Sequence, residues 1–226
     1  MWRRKLWGLV EGRMNPLLIN LFHLIYYNSK ESWPKNTFLG YPVMQNPFDL
    51  YLYQEIVSKV KPPFIIQTGV LRGGSTLYLA CLLDLIGADP SGIVVGVDIS
   101  LTLEARSLSH PRIRLIEGSS TDIHTVERIK EILPVKGGLV SLDSNHSRDH
   151  VLDELRIYRE FVAVGSYLVV EDTNINGHPV ARKYGPGPYE AIEDFLKEDN
   201  HFIRDDYLWQ RNLFSHHQYG WLKRIT

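Results

Sequence analysis

The sequence predicts a doubly wound α/β domain on a mostly parallel sheet, and three observations predict it. From Phe48 onward, short apolar runs alternate with stretches of helical spacing. Within the runs apolar and polar residues do not alternate, as expected of strands buried on both faces. A glycine-rich turn joins the first run to the helix after it, which is where sheets of this kind approach a ligand.

The elements follow in chain order. Residues 1–47 form an N-terminal helix and arm, rich in Trp, Tyr and Asn, and 48–226 form the main domain. The apolar run 17–27 predicts a helix. It begins late for a signal peptide, carries Asn20 and His23, and lacks a small-residue cleavage site. It is also shorter than the about 20 residues that span a bilayer. The expectation is an amphipathic helix packed on the body or on another subunit, with a membrane surface as the lesser reading. A helix over 49–60 is stopped by Pro62 and Pro63. Strands follow at 64–67, 93–97, 113–116, 139–142 and 167–170. Helices are expected over 73–88, 122–133, 148–161 and 189–197. The tail, 219–225, is expected to add an edge strand.

Composition narrows the function. The formal net charge of -1 excludes a bulk attraction to nucleic acid or to an acidic membrane. One cysteine, Cys81, allows no intramolecular disulfide, which fits a reducing, cytoplasmic setting. Its place in an apolar run marks it as a buried helix residue.

The first strand runs into Gln67, Thr68, Gly69, Val70, Leu71, Arg72, Gly73, Gly74 and Ser75. Glycines let the chain turn sharply and let backbone approach a ligand, and the helix start offers free N–H groups. The pattern is neither the dinucleotide fingerprint nor the phosphate loop. The second strand ends in Asp98, suited to ribose hydroxyls, but it lies further on than the about 20 positions of the dinucleotide fingerprint. The third ends in Glu117, Gly118, Ser119 and Ser120, small residues suited to an adenine pocket. An adenosyl cofactor fits this set better than a nicotinamide one.

The fourth strand ends in Asp143 and the fifth in Glu171 and Asp172. Adjacent parallel strands bring these carboxylates to one rim, where a hard divalent cation such as Mg²⁺ relieves their repulsion. His146, three residues after Asp143, is the candidate general base, its ordinary pKa near 6.5. The segment 174–188 holds three glycines and three prolines and reads as a lid, with His178 and Tyr184 facing substrate. His216 and His217 read as loop surface.

These motifs together resemble the cephalosporin hydroxylase-like group of methyltransferases, which includes antibiotic and polysaccharide sugar O-methyltransferases. The matching text is Leu39-Gly-Tyr-Pro42, Gln45-Asn-Pro47, Tyr53-Gln-Glu55, Thr68-Gly69, Gly73-Gly-Ser75 and Val97-Asp-Ile99. It continues in Leu142-Asp-Ser-Asn-His-Ser147, Val170-Glu-Asp-Thr-Asn-Ile-Asn-Gly-His-Pro179 and Gly185-Pro-Gly-Pro188. The resemblance covers residue 33 to the C-terminus and leaves the first 30 residues uncovered. It implies a Rossmann-like class I methyltransferase fold, S-adenosylmethionine and Mg²⁺. It also implies metal ligation by Asp143, Glu171 and Asp172, with His146 as base. One departure stands out: Gln67 occupies the place of a family glutamate that sits near the methionine amino group of the cofactor. Glutamine keeps an acceptor and loses the charge that would pair with an ammonium.

The expected activity is methyl transfer to a hydroxyl of a sugar or sugar-bearing molecule, such as a polysaccharide. Two rivals remain at this stage: cephalosporin 7α-hydroxylation or methoxylation, and a non-catalytic homologue that binds cofactor only. Gln67 favours the latter and the intact acidic set opposes it. The aromatic arm points to a homo-oligomer.

Overall fold

The computed structural model describes residues 15–133 and 137–226. A seven-stranded sheet forms its centre, with the strands at 113–117, 93–98, 64–68, 139–142, 167–170, 221–224 and 202–204 side by side in that order. Five strands are parallel: β3 (Phe64–Thr68), β4 (Ile93–Asp98), β5 (Ile113–Glu117), β6 (Leu139–Leu142) and β7 (Tyr167–Val170). All but β5 are almost wholly buried, which is why they lack alternation. Helices cover both faces, and the core divides accordingly. One apolar cluster joins Ile66, Val95, Leu142, Leu155 and Phe195. The other joins Leu52, Ile65, Leu83, Val94 and Trp221. The doubly wound expectation holds.

The helices start and stop where local chemistry dictates. Before the sheet lie α1 (Asn15–Asn28) and α2 (Pro47–Val60), separated by a short hairpin of β1 (Thr37–Phe38) and β2 (Tyr41–Pro42). Asn46 caps α2, its side chain accepting from the Phe48 amide, with Pro47 in the first turn, where its missing N–H is harmless. After β3 comes α3 (Gly74–Leu85) and after β4 the short α4 (Leu103–Arg106). Asp122 caps α5 (Ile123–Ile132) through the Thr125 amide. Next come α6 (Arg148–Tyr158), which ends in a 3-10 turn at Arg159–Phe161, and α7 (Pro188–Glu198). The last elements are β8 (Phe202–Arg204), α8 (Asp206–Gln210) and β9 (Trp221–Arg224).

Three expectations need correction. The tail strand β9 is not at the edge. It pairs antiparallel with β7 and with β8, so β8 is the edge strand. β8 escaped notice because it has three residues and only Phe202 is buried. His216 and His217 are buried, at 2% and 1% exposure, not on a loop surface. Acceptors and rings from α1 and α2 enclose them, a long-range contact invisible in local sequence. Cys81 on α3 is half-buried, not buried.

Helix α1 lies against the body through His23, which is fully buried, while Leu17, Leu18, Leu21, Phe22 and Ile25 are exposed. Its inner face meets Phe214 and His216: Phe22 and His23 lie edge-on to Phe214 at 5.1 and 4.6 Å. Among the described residues no helix is long and apolar enough to cross a membrane.

Candidate functional site

Strand β3 runs between β4 and β6, so the chain direction of winding reverses on either side of it, and a crevice opens at the carboxyl rim. A cavity of about 740 Å³ occupies that crevice. Its lining includes Gly69, Ser75, Asp98, Ser119, Ser120, Asp143, His146, Asp172 and Tyr184 from the sequence-predicted set.

The glycine loop is fixed by two close approaches. Gly69 has φ +79°, and a Cβ there would lie 1.8 Å from the Asp143 carbonyl oxygen. Glycine alone lets β3 and β6 bring their ends together in this way. A Cβ on Gly74 would lie 2.3 Å from the Pro42 carbonyl oxygen, so the arm packs directly on the start of α3. Asp98 clasps the loop: one carboxylate oxygen accepts from the Val70 and Leu71 amides, both at 2.9 Å, and the other from the Ser100 amide.

Gln67, Thr68, Gly73 and Gly74 support this loop from behind and are not among the cavity-lining residues. Gln67 is fully buried; it donates to Ser75 Oγ at 2.7 Å and accepts from Thr76 Oγ1 at 2.7 Å. Both ends of the amide are thus used to brace the start of α3. Thr68 Oγ1 accepts from the Asp143 amide at 3.3 Å.

Asp143, His146 and Asp172 converge, each offering one ligand atom within 4.8 Å of the others. His146 Nε2 lies 3.3 Å from Asp172 Oδ2 and 3.9 Å from Asp143 Oδ1. Burial, and then the charges of Glu171 and Asp172, push the Asp143 carboxyl well above the usual carboxylate range. Crowded carboxylates beside an imidazole nitrogen are a donor set that a hard divalent cation satisfies, because its charge removes the repulsion.

Glu171 sits one step deeper, at 2% exposure. It accepts from Tyr53 Oη and Ser141 Oγ, each at 2.6 Å, and from Gln45 Nε2. Gln45 Nε2 also reaches Asp143 Oδ2 at 3.3 Å, so one amide bridges the two acids. The structure therefore groups Asp143 and Asp172 with His146, and ties Glu171 to buried donors behind them.

The segment 174–188 is tied down at several points. Asn176 donates to Glu190, the Gly187 amide donates to Glu190, and the Gly185 amide donates to Asn176. Tyr184, half exposed, reaches the cavity. His178 does not: it bonds Glu190 at 2.9 Å and stacks on Tyr189 at 4.0 Å.

A family model described as rhamnosyl O-methyltransferase/CmcI matches residues 30–225. The chain belongs to the rhamnosyl O-methyltransferase/CmcI family. A rhamnosyl O-methyltransferase of Mycobacterium tuberculosis is 36% identical over 203 residues, 88% of this chain and 79% of the relative. That of Mycobacterium leprae is 34% identical over 200 residues, 86% of each. Among solved structures, CmcI with Mg and SAM shares the fold at a TM-score of 0.64 and 18% identity, over 85% of this chain and 78% of that one. An O-methyltransferase of Bacillus cereus in complex with SAH does so at 0.53 and 15%, over 70% and 72%.

This rhamnosyl O-methyltransferase/CmcI family member carries further site residues that sequence reasoning missed. Trp33, Met44, Gln45 and His216 line the cavity from the arm and the C-terminal loop. Trp33 meets the His216 ring edge-on at 5.5 Å. His150 also lines it, its Nε2 lying 3.1 Å from both Ser120 Oγ and Ser144 Oγ. Two of these had a signal in the sequence: Gln45 stands in the Gln45-Asn-Pro47 motif, and His150 lies four positions before Glu154, on the same face of α6.

Proposed function

We propose that this protein is an S-adenosylmethionine-dependent, Mg²⁺-assisted O-methyltransferase acting on a hydroxyl of a sugar, with a rhamnosyl group as the first acceptor to test. The observation that carries this reading is one cavity that joins the glycine loop and Asp98 to the cluster of Asp143, His146 and Asp172. The named activity of the mycobacterial relatives supports the acceptor class.

In this reading the loop from Gly69 to Ser75, Asp98, Ser119, Ser120 and one edge of Asp143 hold the methyl donor. Asp143 and Asp172 hold the metal, and Glu171 joins them on releasing the Gln45 amide. When bound, Mg²⁺ supplies positive charge that lowers the pKa of an acceptor hydroxyl and orients it. His146 Nε2 takes the hydroxyl proton as the oxygen forms a bond to the donor's methyl carbon. The carbon–sulfur bond breaks, and S-adenosylhomocysteine leaves with the bonding electron pair. Trp33, Met44, Tyr184 and His216 exclude water and position the acceptor, so that the chain's main contribution is in-line placement. His178 acts indirectly, by holding the start of α7.

The test is transfer of labelled methyl from S-adenosylmethionine to rhamnosides, with Mg²⁺ and with a chelator. Metal-dependent O-methylation supports the reading. Tight binding of S-adenosylmethionine with no transfer to any sugar refutes it in favour of a non-catalytic homologue.

We further propose that the chain divides into an arm, 1–47, and a main domain, 48–226, and that the described part of the arm serves as a cavity wall through Trp33, Met44 and Gln45 and as a contact between copies through α1. The exposed Leu17, Leu18, Leu21 and Ile25 form the apolar face that a second copy would cover. Light scattering on the intact chain and on an L21E/I25E variant tests this; a wild-type monomer refutes it. A cytoplasmic location fits the single cysteine.

A further inference from the structure

Asp172 holds an unusual backbone. Its φ is +52°, in the left-handed region, and it is not glycine. Residues with a Cβ adopt that conformation singly, where the surroundings hold it. The turn is what brings the Asp172 carboxylate to Asp143 and His146, while its neighbour Glu171 points into the protein.

One side chain touches both acids from behind. The Asp172 amide donates to His217 Nδ1 at 3.0 Å. His217 Nε2 lies 3.3 Å from Glu171 Oε2, 3.3 Å from Gln45 Oε1 and 3.8 Å from Asp49 Oδ2. Because Nδ1 is occupied as an acceptor, the ring proton sits on Nε2, where three acceptors surround it. His217 is itself held: its amide donates to Ser215 Oγ at 2.9 Å, and Ser215 and the His216 amide donate to Asp49 on α2.

We infer that His217 is a positioning residue for the metal site, its Nδ1 holding the left-handed turn at Asp172 and its Nε2–H fixing the orientation of Glu171. This rests on the Mg²⁺ reading of the site. His217 makes no contact with donor or acceptor in this scheme; it acts through the two acids. Partners of this kind behind metal ligands are worth about 10–100-fold in metal affinity.

Two substitutions separate the contacts. His217→Asn keeps an acceptor at the Nδ1 position and loses the contact to Glu171. His217→Gln keeps a donor at the Nε2 position and loses the acceptor for the Asp172 amide. Calorimetric titration of Mg²⁺ alone, and of Mn²⁺ followed by electron paramagnetic resonance, reads the site without turnover. His217→Gln is expected to weaken metal binding at least tenfold, His217→Asn less, and both are expected to bind S-adenosylhomocysteine as the wild type does. Wild-type metal affinity in a folded His217→Gln protein overturns the inference, as does an equal loss in both variants. Long-range ¹H–¹⁵N spectra of the wild type need no variant to fold: an unprotonated Nδ1 on His217 is expected, and a protonated one overturns the inference. Wild-type protein that binds no divalent ion overturns the Mg²⁺ reading itself, an outcome distinct from a failure of His217 alone.

Discussion

Replacing Gly69 by alanine tests whether the donor loop and the metal rim are one mechanical unit. The added methyl would sit 1.8 Å from the Asp143 carbonyl oxygen and 2.5 Å from its carbon. Neither side gives way easily, because the Gly69 amide is bonded to Val97 at 2.8 Å and the Asp143 amide to Thr68 at 3.0 Å. Left-handed strain contributes about 1–2 kcal/mol, and forced repacking about 1–3 kcal/mol more. Gly40 is the control. Its φ is +88°, yet nothing lies within 4 Å of its would-be Cβ, so Gly40→Ala carries the strain without the clash. Gly40→Ala is expected to lower Tm by about 2–8 °C and to leave binding intact. Gly69→Ala is expected to melt lower still. It should weaken Mg²⁺ and S-adenosylmethionine together, and turnover should fall about 100-fold, as an ångström of misplacement implies. The assays are thermal melts, calorimetry and methyl transfer. The reasoning is refuted if Gly69→Ala melts with Gly40→Ala and binds both ligands as the wild type does.

Three further outcomes follow from the site. Asp143→Asn should abolish Mg²⁺ binding by calorimetry. It should also raise the Tm of metal-free protein at neutral pH, because it removes a carboxylate whose charged form is opposed by burial and by its acidic neighbours. His146→Gln should reduce kcat about 100-fold with Mg²⁺ affinity unchanged if His146 is the base; a parallel loss of metal affinity would make it a ligand instead. Burial lowers His23 from 6.5 to about 4, so the unfolded chain takes up this proton first as pH falls. The stability it contributes is complete above pH 6.5 and is lost as pH falls through about 4, by up to about 3 kcal/mol. Denaturant midpoints across that window should decline for the wild type, and less for His23→Gln.

The parallel part of the sheet was legible because its strands are short and, β5 apart, buried on both faces, so composition marked them. The rim residues were legible for a related reason: parallel strands deliver their ends to one edge, so Asp98 and Asp143 needed only strand positions to be placed, and the Glu171-Asp172 pair was brought to the same rim. What escaped was everything set by distant chain. His216 and His217 look like loop histidines until Asp49, on the first turn of α2, is seen to accept from Ser215 and from the His216 amide. Gln45 stood in the family motif, but its bridge between Asp143 and Glu171 spans about half the chain. Glu171 and Asp172 are adjacent and chemically alike. Their different placements depend on a backbone turn at Asp172 that no side-chain pattern announces.

That turn also explains why the arm belongs to the site. The acids come from β6 and β7; Tyr53 on α2 and Ser141 on β6 hold one edge of Glu171, and the other orienting groups come from the arm and the C-terminal loop: Gln45 ahead of α2, and Ser215 to His217 ahead of β9. Asn174, two residues past Asp172, is bonded to His23 on α1 at 2.9 Å, and its amide to the His216 carbonyl at 3.1 Å. Buried polar groups linked in this way favour one arrangement, because each loss leaves a partner without water. The sheet therefore sets where the carboxylates emerge, and the arm together with the C-terminal loop sets where they point. Substitutions in the arm or the C-terminal loop are therefore expected to leave the sheet intact and still disturb the acids, and His217→Gln is the variant that tests this.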